Sequence, residues 1–385
     1  MGKVMGRLVA GGRAVALSVA HGVIVDLRSV DDGDAEDVWI APGLIDLQVN
    51  GAAGIDLNDN GITADRVGEL VEHHWRAGVT ALCATIVSAP EEEMAHRLEM
   101  IARARRDDRR VAAAIPVVHV EGPHLSSEEG ARGAHAREYL RPPDLDEFAR
   151  LQKAADGAIG IVTLAPELPG AFEYIRTLTL QGVVVALGHS AAPPRAVVQA
   201  VDAGVRLSTH LGNGAAAMLP RHPNHLWEQL ADDRLMASFI ADGHHLPTAT
   251  LTALLRAKGV GQSILVSDST AFAGMAPGIY ESHIGGRVEL TGDRRLSIVG
   301  TPYLAGSAVG LADCIAGAVR HGGVTLAQAI QMASTNPNNL LGRAGGAVRV
   351  GAPADVFTFT YDTGTARLQA RTTLLGGSVV WGGLP

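Results

Sequence analysis

The chain alternates between short apolar, β-branched runs and longer stretches in which apolar residues recur with a helical period. Eight runs read as strands, at 39–46, 79–85, 113–120, 160–165, 183–188, 205–209, 236–241 and 264–267. Between them, the periodicity predicts helices over 65–76, 91–105, 144–155, 195–203 and 248–258. Strands that alternate with helices imply a parallel sheet, and eight such units close into a (β/α)8 barrel of the TIM type. Near-continuous apolar strands such as Val183-Val184-Val185-Ala186-Leu187 suit a sheet covered on both faces. No 20–50-residue repeat and no low-complexity tract interrupts this pattern.

The two ends follow another rule. Short, alternating, Gly-punctuated runs at 13–19, 22–27, 354–360 and 377–381 read as antiparallel strands. Gly351-Ala352-Pro353-Ala354-Asp355 is a turn leading into Val356-Phe357. The pattern therefore predicts a small β-sandwich domain built from residues 1–41 and 350–385. The barrel, residues 42–349, is inserted between its halves, and Pro42-Gly43 marks where it begins.

Composition narrows the partners. A net charge of −8 and an aromatic content of 4% argue against a nucleic-acid surface or a base-stacking platform. Cys83 and Cys314 are the only cysteines, which excludes a disulfide framework and a Cys-rich zinc module and suits a reducing cytoplasm. No apolar run approaches the ~18–20 residues that span a bilayer. Lys3, Arg7, Arg13 and His21 interrupt the first 26 residues, so neither a signal peptide nor a membrane partner is expected.

Candidate chemistry gathers at the strand ends, which in a barrel form the active-site face. The third strand ends in Glu121, followed at once by Gly122-Pro123. The fifth and sixth end in Gly188-His189-Ser190 and Thr209-His210. Adjacent strands lie about 4.8 Å apart, so the two imidazoles can reach one ion. Either alone reads equally as a satisfied core histidine, and Glu121 alone as a solvated strand end. Three N/O donors match a catalytic zinc that keeps an open position. Asp268 follows the apolar run of the eighth strand; it is either a helix cap or a proton acceptor placed beside such an ion. The seventh strand ends in Asp242-Gly243-His244-His245, where spacing alone does not separate substrate contact, metal ligand and exposed loop.

At these residues the sequence resembles the amidohydrolase superfamily, and within it the N-acetylglucosamine-6-phosphate deacetylases. The resemblance is carried in order by Pro42-Gly43-Leu44-Ile45-Asp46-Leu47-Gln48-Val49-Asn50-Gly51, His119-Val120-Glu121-Gly122-Pro123, Gly188-His189-Ser190, Thr209-His210-Leu211-Gly212-Asn213, Ala241-Asp242-Gly243-His244-His245 and Val266-Ser267-Asp268. Gln48-Val49-Asn50 stands where many relatives have His-x-His and bind two metals, which implies a single-metal site. The resemblance makes Glu121, His189 and His210 ligands of one divalent ion, with zinc expected and iron or manganese compatible with the same donors. It makes Asp268 the general base and acid. It implies substrate contacts from Ala134, His135, Asn213, Gly214, Asp242, His245, Leu304, Ala305 and Gly306. Arg221 falls near an arginine that reaches a phosphate in the neighbouring subunit, which implies a homodimer.

The expected reaction is hydrolysis of the N-acetyl amide of an amino sugar phosphate, N-acetylglucosamine-6-phosphate first. The 212–225 loop departs from the family pattern on the substrate side, leaving a different N-acyl sugar open. Hydrolysis of a cyclic amide or an N-acyl amino acid is a second reading. It is disfavoured because no lysine sits near a strand end to be carboxylated. A non-catalytic barrel scaffold is the third.

Overall fold

The computed structural model describes residues 2–35, 37–282, 286–301 and 303–383. Eight parallel strands run in sequence order around one sheet: Leu44–Val49, Val79–Val87, Val118–Glu121, Ile159–Leu164, Val184–Leu187, Leu207–Ser208, Met236–Ile240 and Ser263–Val266. The eighth returns to the first. Val49 bridges Ser269 in parallel, and the Asn50 N–H donates to the Ser269 carbonyl at 2.8 Å. Further down the seam a side chain takes the place of a ladder bond: Asp46 Oδ1 accepts the Ser267 N–H at 3.1 Å. Burial pushes the Asp46 carboxyl up to about 6.

Ile45, Cys83, Ile161, Ala186, Leu207, Ile240 and Ile264 come from seven of these strands yet form one contact cluster, which is the barrel interior. Leu340 joins it from the short helix Thr335–Leu340. The opposite faces of the strands pack against the helices in a larger core.

The expected helices form as Ala64–Trp75, Glu91–Asp107, Leu145–Ala154, Pro194–Ala203 and Thr248–Lys258. Thr63 and Asp144 cap two of them with side-chain acceptors. Ala171–Leu180, between the fourth and fifth strands, is a helix the pattern did not announce. Ile175, Thr177 and Thr179 are β-branched and weaken its propensity, so burial of Tyr174, Ile175 and Leu178 carries it.

Two expected strands are corrected. The 39–46 run is divided: Trp39–Pro42 joins the terminal sheet, and the barrel begins at Leu44. Gly43 between them donates to the Asp355 carbonyl at 2.8 Å. The 113–120 run begins inside the helix Arg109–Ala114, because an all-apolar stretch hides the change from helix to strand.

The terminal sheet has seven strands. Ser378–Gly382 lies at one edge, followed by Arg367–Leu375, Val356–Asp362, Trp39–Pro42, Gly2–Leu8, Ala14–Ala20 and Val23–Ser29. Trp39–Pro42 is the joint, parallel to Gly2–Leu8 and antiparallel to Val356–Asp362. The sandwich is one continuous sheet curled over Val4, Leu17, Ile24, Ile40 and Val356, and a Val23–Pro353 bridge draws its far edge back. A further antiparallel sheet, Gly278–Ser282, Gly286–Leu290 and Leu296–Ile298, follows the eighth barrel strand around its own small core. Among the described residues no helix is long and apolar enough to cross a membrane.

Sheet and barrel meet tightly at Gly78, which turns into the second barrel strand at φ +80°. A Cβ there would lie 2.4 Å from Cδ2 of Phe357, whose ring stacks on Phe359. Gly78→Ala is therefore expected to cost about 2–4 kcal/mol through overpacking and a left-handed side chain. Phe357→Leu in the same chain should recover part of that loss in denaturant midpoints. Strictly additive losses would mean that the added methyl and the ring do not meet.

Candidate active site

Each side chain at the barrel mouth is delivered by a strand that turns sharply as it ends. Glu121 is the last residue of the third strand, and Gly122 after it has φ +83°. His189, His210 and Asp268 each lie two residues past their strands, with φ of +49°, +32° and +48°. Left-handed backbone at a non-glycine residue costs about 1–3 kcal/mol and persists only where neighbours enforce it. Here the neighbours are visible. Ser238 Oγ accepts the His210 N–H at 2.7 Å. Glu167 accepts from Ser190 Oγ at 2.7 Å and from the Ala191 N–H at 2.6 Å, fixing the turn that carries His189. The Asp268 carbonyl accepts the Ser307 N–H at 3.3 Å.

The turns bring Glu121, His189 and His210 together, with one ligand atom from each lying within 4.8 Å of the others. Glu121 Oε1 is 3.0 Å from His210 Nε2 and 3.2 Å from His189 Nε2. Those separations are close to the ~3.3 Å edge of a tetrahedron with zinc–ligand bonds of about 2.0–2.1 Å. The His189 tautomer also fits. Its Nδ1 lies 3.0 Å from the Ala131 carbonyl, which can only accept, so the lone pair is on Nε2 and faces the carboxylate oxygen. Two lone pairs at 3.2 Å repel unless a positive charge sits between them, and a divalent ion supplies one. Burial alone would raise the Glu121 carboxyl, but the two facing rings, His189 and His210, outweigh it and hold the group well below its usual range.

Two glycines make room for this arrangement. A Cβ on Gly133 or on Gly214, both at positive φ, would come within 2.8 Å of the His189 ring. The ring meets His135 and His210 edge-on, with centroids 4.5 and 4.8 Å away.

Gln48 on the first strand and Asn50 just past its end each take one carboxylate. Gln48 Nε2 donates to Glu121 Oε2 at 3.0 Å, and Asn50 Nδ2 donates to Asp268 Oδ1 at 2.8 Å. Burial first, and the Glu121 charge second, push Asp268 up to about 8. A cation in the triad opposes that shift. His119 in the His-x-Glu motif is a support, with Nδ1 3.1 Å from the Leu47 carbonyl and Nε2 2.8 Å from Thr163 Oγ1. His135 pairs through Nδ1 with Ser88 Oγ at 2.9 Å; burial first, and His189 second, lower it to about 3.

The triad, Asn50, Asp268 and His135 open onto one cavity of about 510 Å³. Glu121, His189, His210 and Asp268 are on its wall, together with Ala134, His135, Asn213, Gly214, His245, Leu304, Ala305 and Gly306. Asp242 and Arg221 are not on that wall. Asp242 Oδ2 lies 2.7 Å from His245 Nδ1, and its Oδ1 accepts the N–H groups of His244 and His245, so it orients His245 from behind. Arg221 is exposed on the surface. Sequence reasoning passed over Glu167, Ser88, Arg132, Tyr139 and Tyr303. Glu167, just past the fourth strand, had the strand-end signal that singled out the others.

Comparison with known proteins gives a consistent picture. The sequence model of the amidohydrolase family matches residues 39–380. The chain is 35% identical over 359 residues to the N-acetylglucosamine-6-phosphate deacetylase of Bos taurus, spanning 89% of this chain and 83% of that protein. It is 34% identical over 347 residues to the N-acetylgalactosamine-6-phosphate deacetylase of Escherichia coli O157:H7, spanning 88% and 89%. The crystal structure of N-acetyl-D-glucosamine-6-phosphate deacetylase from Mycobacterium smegmatis superposes with a TM-score of 0.87 at 28% identity, over 99% of this chain and 100% of that one.

Glu167→Ala is expected to weaken divalent-ion affinity about 10–100-fold by freeing the His189 turn. Competition with a chromogenic chelator measures it. An unchanged affinity would mean that the turn holds without the carboxylate.

Proposed function

The chain belongs to the amidohydrolase family, and on that premise we propose that it hydrolyses the N-acetyl amide of a hexosamine 6-phosphate, with N-acetylglucosamine-6-phosphate first among candidates. The products are acetate and the free amino sugar phosphate. The observation that carries this reading is the convergence of Glu121, His189, His210, Asp268 and His135 on one cavity. Relatives named for both the gluco and the galacto sugar share most of the chain, so the 4-epimer belongs in the same assay.

Glu121, His189 and His210 would hold one divalent ion, zinc by preference, since a mixed imidazole and carboxylate set suits it. When bound, such an ion supplies Lewis acidity, polarising the amide carbonyl and easing deprotonation of water. Asp268 takes the proton of the attacking water, and Asn50 holds its other oxygen so that the accepting one faces the cavity. The same carboxyl then returns the proton to the departing nitrogen, because an amine leaves poorly unless protonated. His135 remains neutral at working pH. With the Ser88 hydroxyl donating to Nδ1, its own proton is on Nε2, suited to the carbonyl oxygen as negative charge develops there. Asp242 locks His245 for contact with the sugar.

A carboxylated-lysine centre, as in two-metal cyclic amidases, has no residue to build it, since no lysine is among the described residues of the cavity. Exposed Arg221 is free to reach a neighbouring cavity in a homodimer. The two buried free thiols suit the cytoplasm.

Incubating the ion-loaded protein with N-acetylglucosamine-6-phosphate, its galacto epimer and the unphosphorylated sugars should release acetate from the phosphates. Asp268→Asn should lower kcat by roughly 10²–10⁴-fold while the ion content stays unchanged. Near-normal turnover in that variant would remove Asp268 from the mechanism.

A further inference from the structure

A 6-phosphate brings negative charge into a cavity whose wall already carries Glu121, Asp268 and Glu129. Among the described residues of that wall, Arg132 is the only lysine or arginine. The residue is half-buried. Nη1 donates to the His135 carbonyl at 3.1 Å, and no carboxylate pairs with it among the described residues. Arg97 is paired with Glu93 at 2.7 Å, and Arg141 with Glu147. A guanidinium without a counter-ion retains donors that a phosphate can satisfy in a forked geometry.

The position of the loop strengthens the case. Gly130, two residues before Arg132, packs on the backbone of the 215–217 segment, and a Cβ there would meet the Ala215 carbonyl at 3.0 Å. Asn213 and Gly214, immediately before that segment, line the cavity. Arg132 is thus anchored beside a stretch of backbone that borders the cavity. Arg221 lies off the wall.

We infer that Arg132 is an in-chain anion clamp that makes the site selective for a phosphorylated over a neutral amino sugar. This rests on the deacetylase reading above, and it adds a charge contact from the chain's own loop to whatever the neighbouring subunit supplies. The readout is selectivity: kcat/KM for N-acetylglucosamine-6-phosphate divided by kcat/KM for N-acetylglucosamine, measured on the ion-loaded protein.

Arg132→Met should lower that ratio at least tenfold, mainly through KM for the phosphate. Arg132→Lys should keep part of it, retaining the charge but not the fork. Arg221→Met should change it less than Arg132→Met does. A wild type that prefers the phosphate, with an unchanged ratio in Arg132→Met, would overturn the clamp and leave the deacetylase reading intact. A collapse confined to Arg221→Met would overturn it in favour of the cross-subunit arginine. A wild type with no preference for the phosphate would overturn the phosphorylated substrate itself. If Arg132 only braced the loop through the His135 carbonyl, kcat would fall alike on both sugars and the ratio would not move, which also counts against the clamp.

Discussion

A carboxylate enclosed in the barrel mouth sets the terms for everything around it. Glu121 is 3% exposed, and an isolated charge in that position would cost several kcal/mol. Both of its oxygens are therefore claimed. Oε1 faces two imidazoles from the neighbouring side of the barrel, and Oε2 takes the amide of Gln48 from the first strand. The convergence draws on the first, third, fifth and sixth strands at once, so the register of half the barrel is tied to one side chain. Losing any partner leaves a buried charge uncompensated, which is a steeper penalty than the loss of an ordinary hydrogen bond.

The geometry that achieves this is strained, and the strain is distributed. His189, His210 and Asp268 all sit in left-handed backbone, and each is pinned by a different neighbour: Glu167 holds the turn after His189, Ser238 holds His210, and Ser307 holds the carbonyl of Asp268. Even the barrel seam takes part. Asp46 closes the eighth strand against the first through the Ser267 N–H, one residue before Asp268. Closing the barrel and aiming Asp268 are therefore one structural problem with a shared solution.

What the sequence disclosed follows from the range of each interaction. The barrel strands were legible because each is a local apolar run, and the triad because its residues follow those runs directly. The division at Gly43 was not, since a single apolar run crosses from one sheet to the other without any change in composition. Gly2–Leu8 and Arg367–Leu375 escaped because their strand character depends on partners more distant in the chain than any local pattern records. The same holds for function. The sequence pointed to Gln48 and Asn50 through what they replace, whereas their work, one amide on each carboxylate, appears only when residues 73 and 218 positions apart are brought together. The resemblance counted Asp242 among the substrate contacts, and only the fold shows its carboxylate turned to the His245 ring and to the N–H groups of His244 and His245.

The terminal sheet has a consequence for how the molecule is made. Trp39–Pro42 is hydrogen-bonded on one side to Gly2–Leu8, which is already synthesised, and on the other to Val356–Asp362, which is not. At ~5–20 residues per second, the ribosome needs roughly 15–60 s to supply that missing partner. Throughout that interval the barrel can assemble while one edge of Trp39–Pro42 remains an open template for any passing strand. The chain's vulnerability to misassembly is thus greatest while the site is nearly built, and it ends only when the last strands emerge.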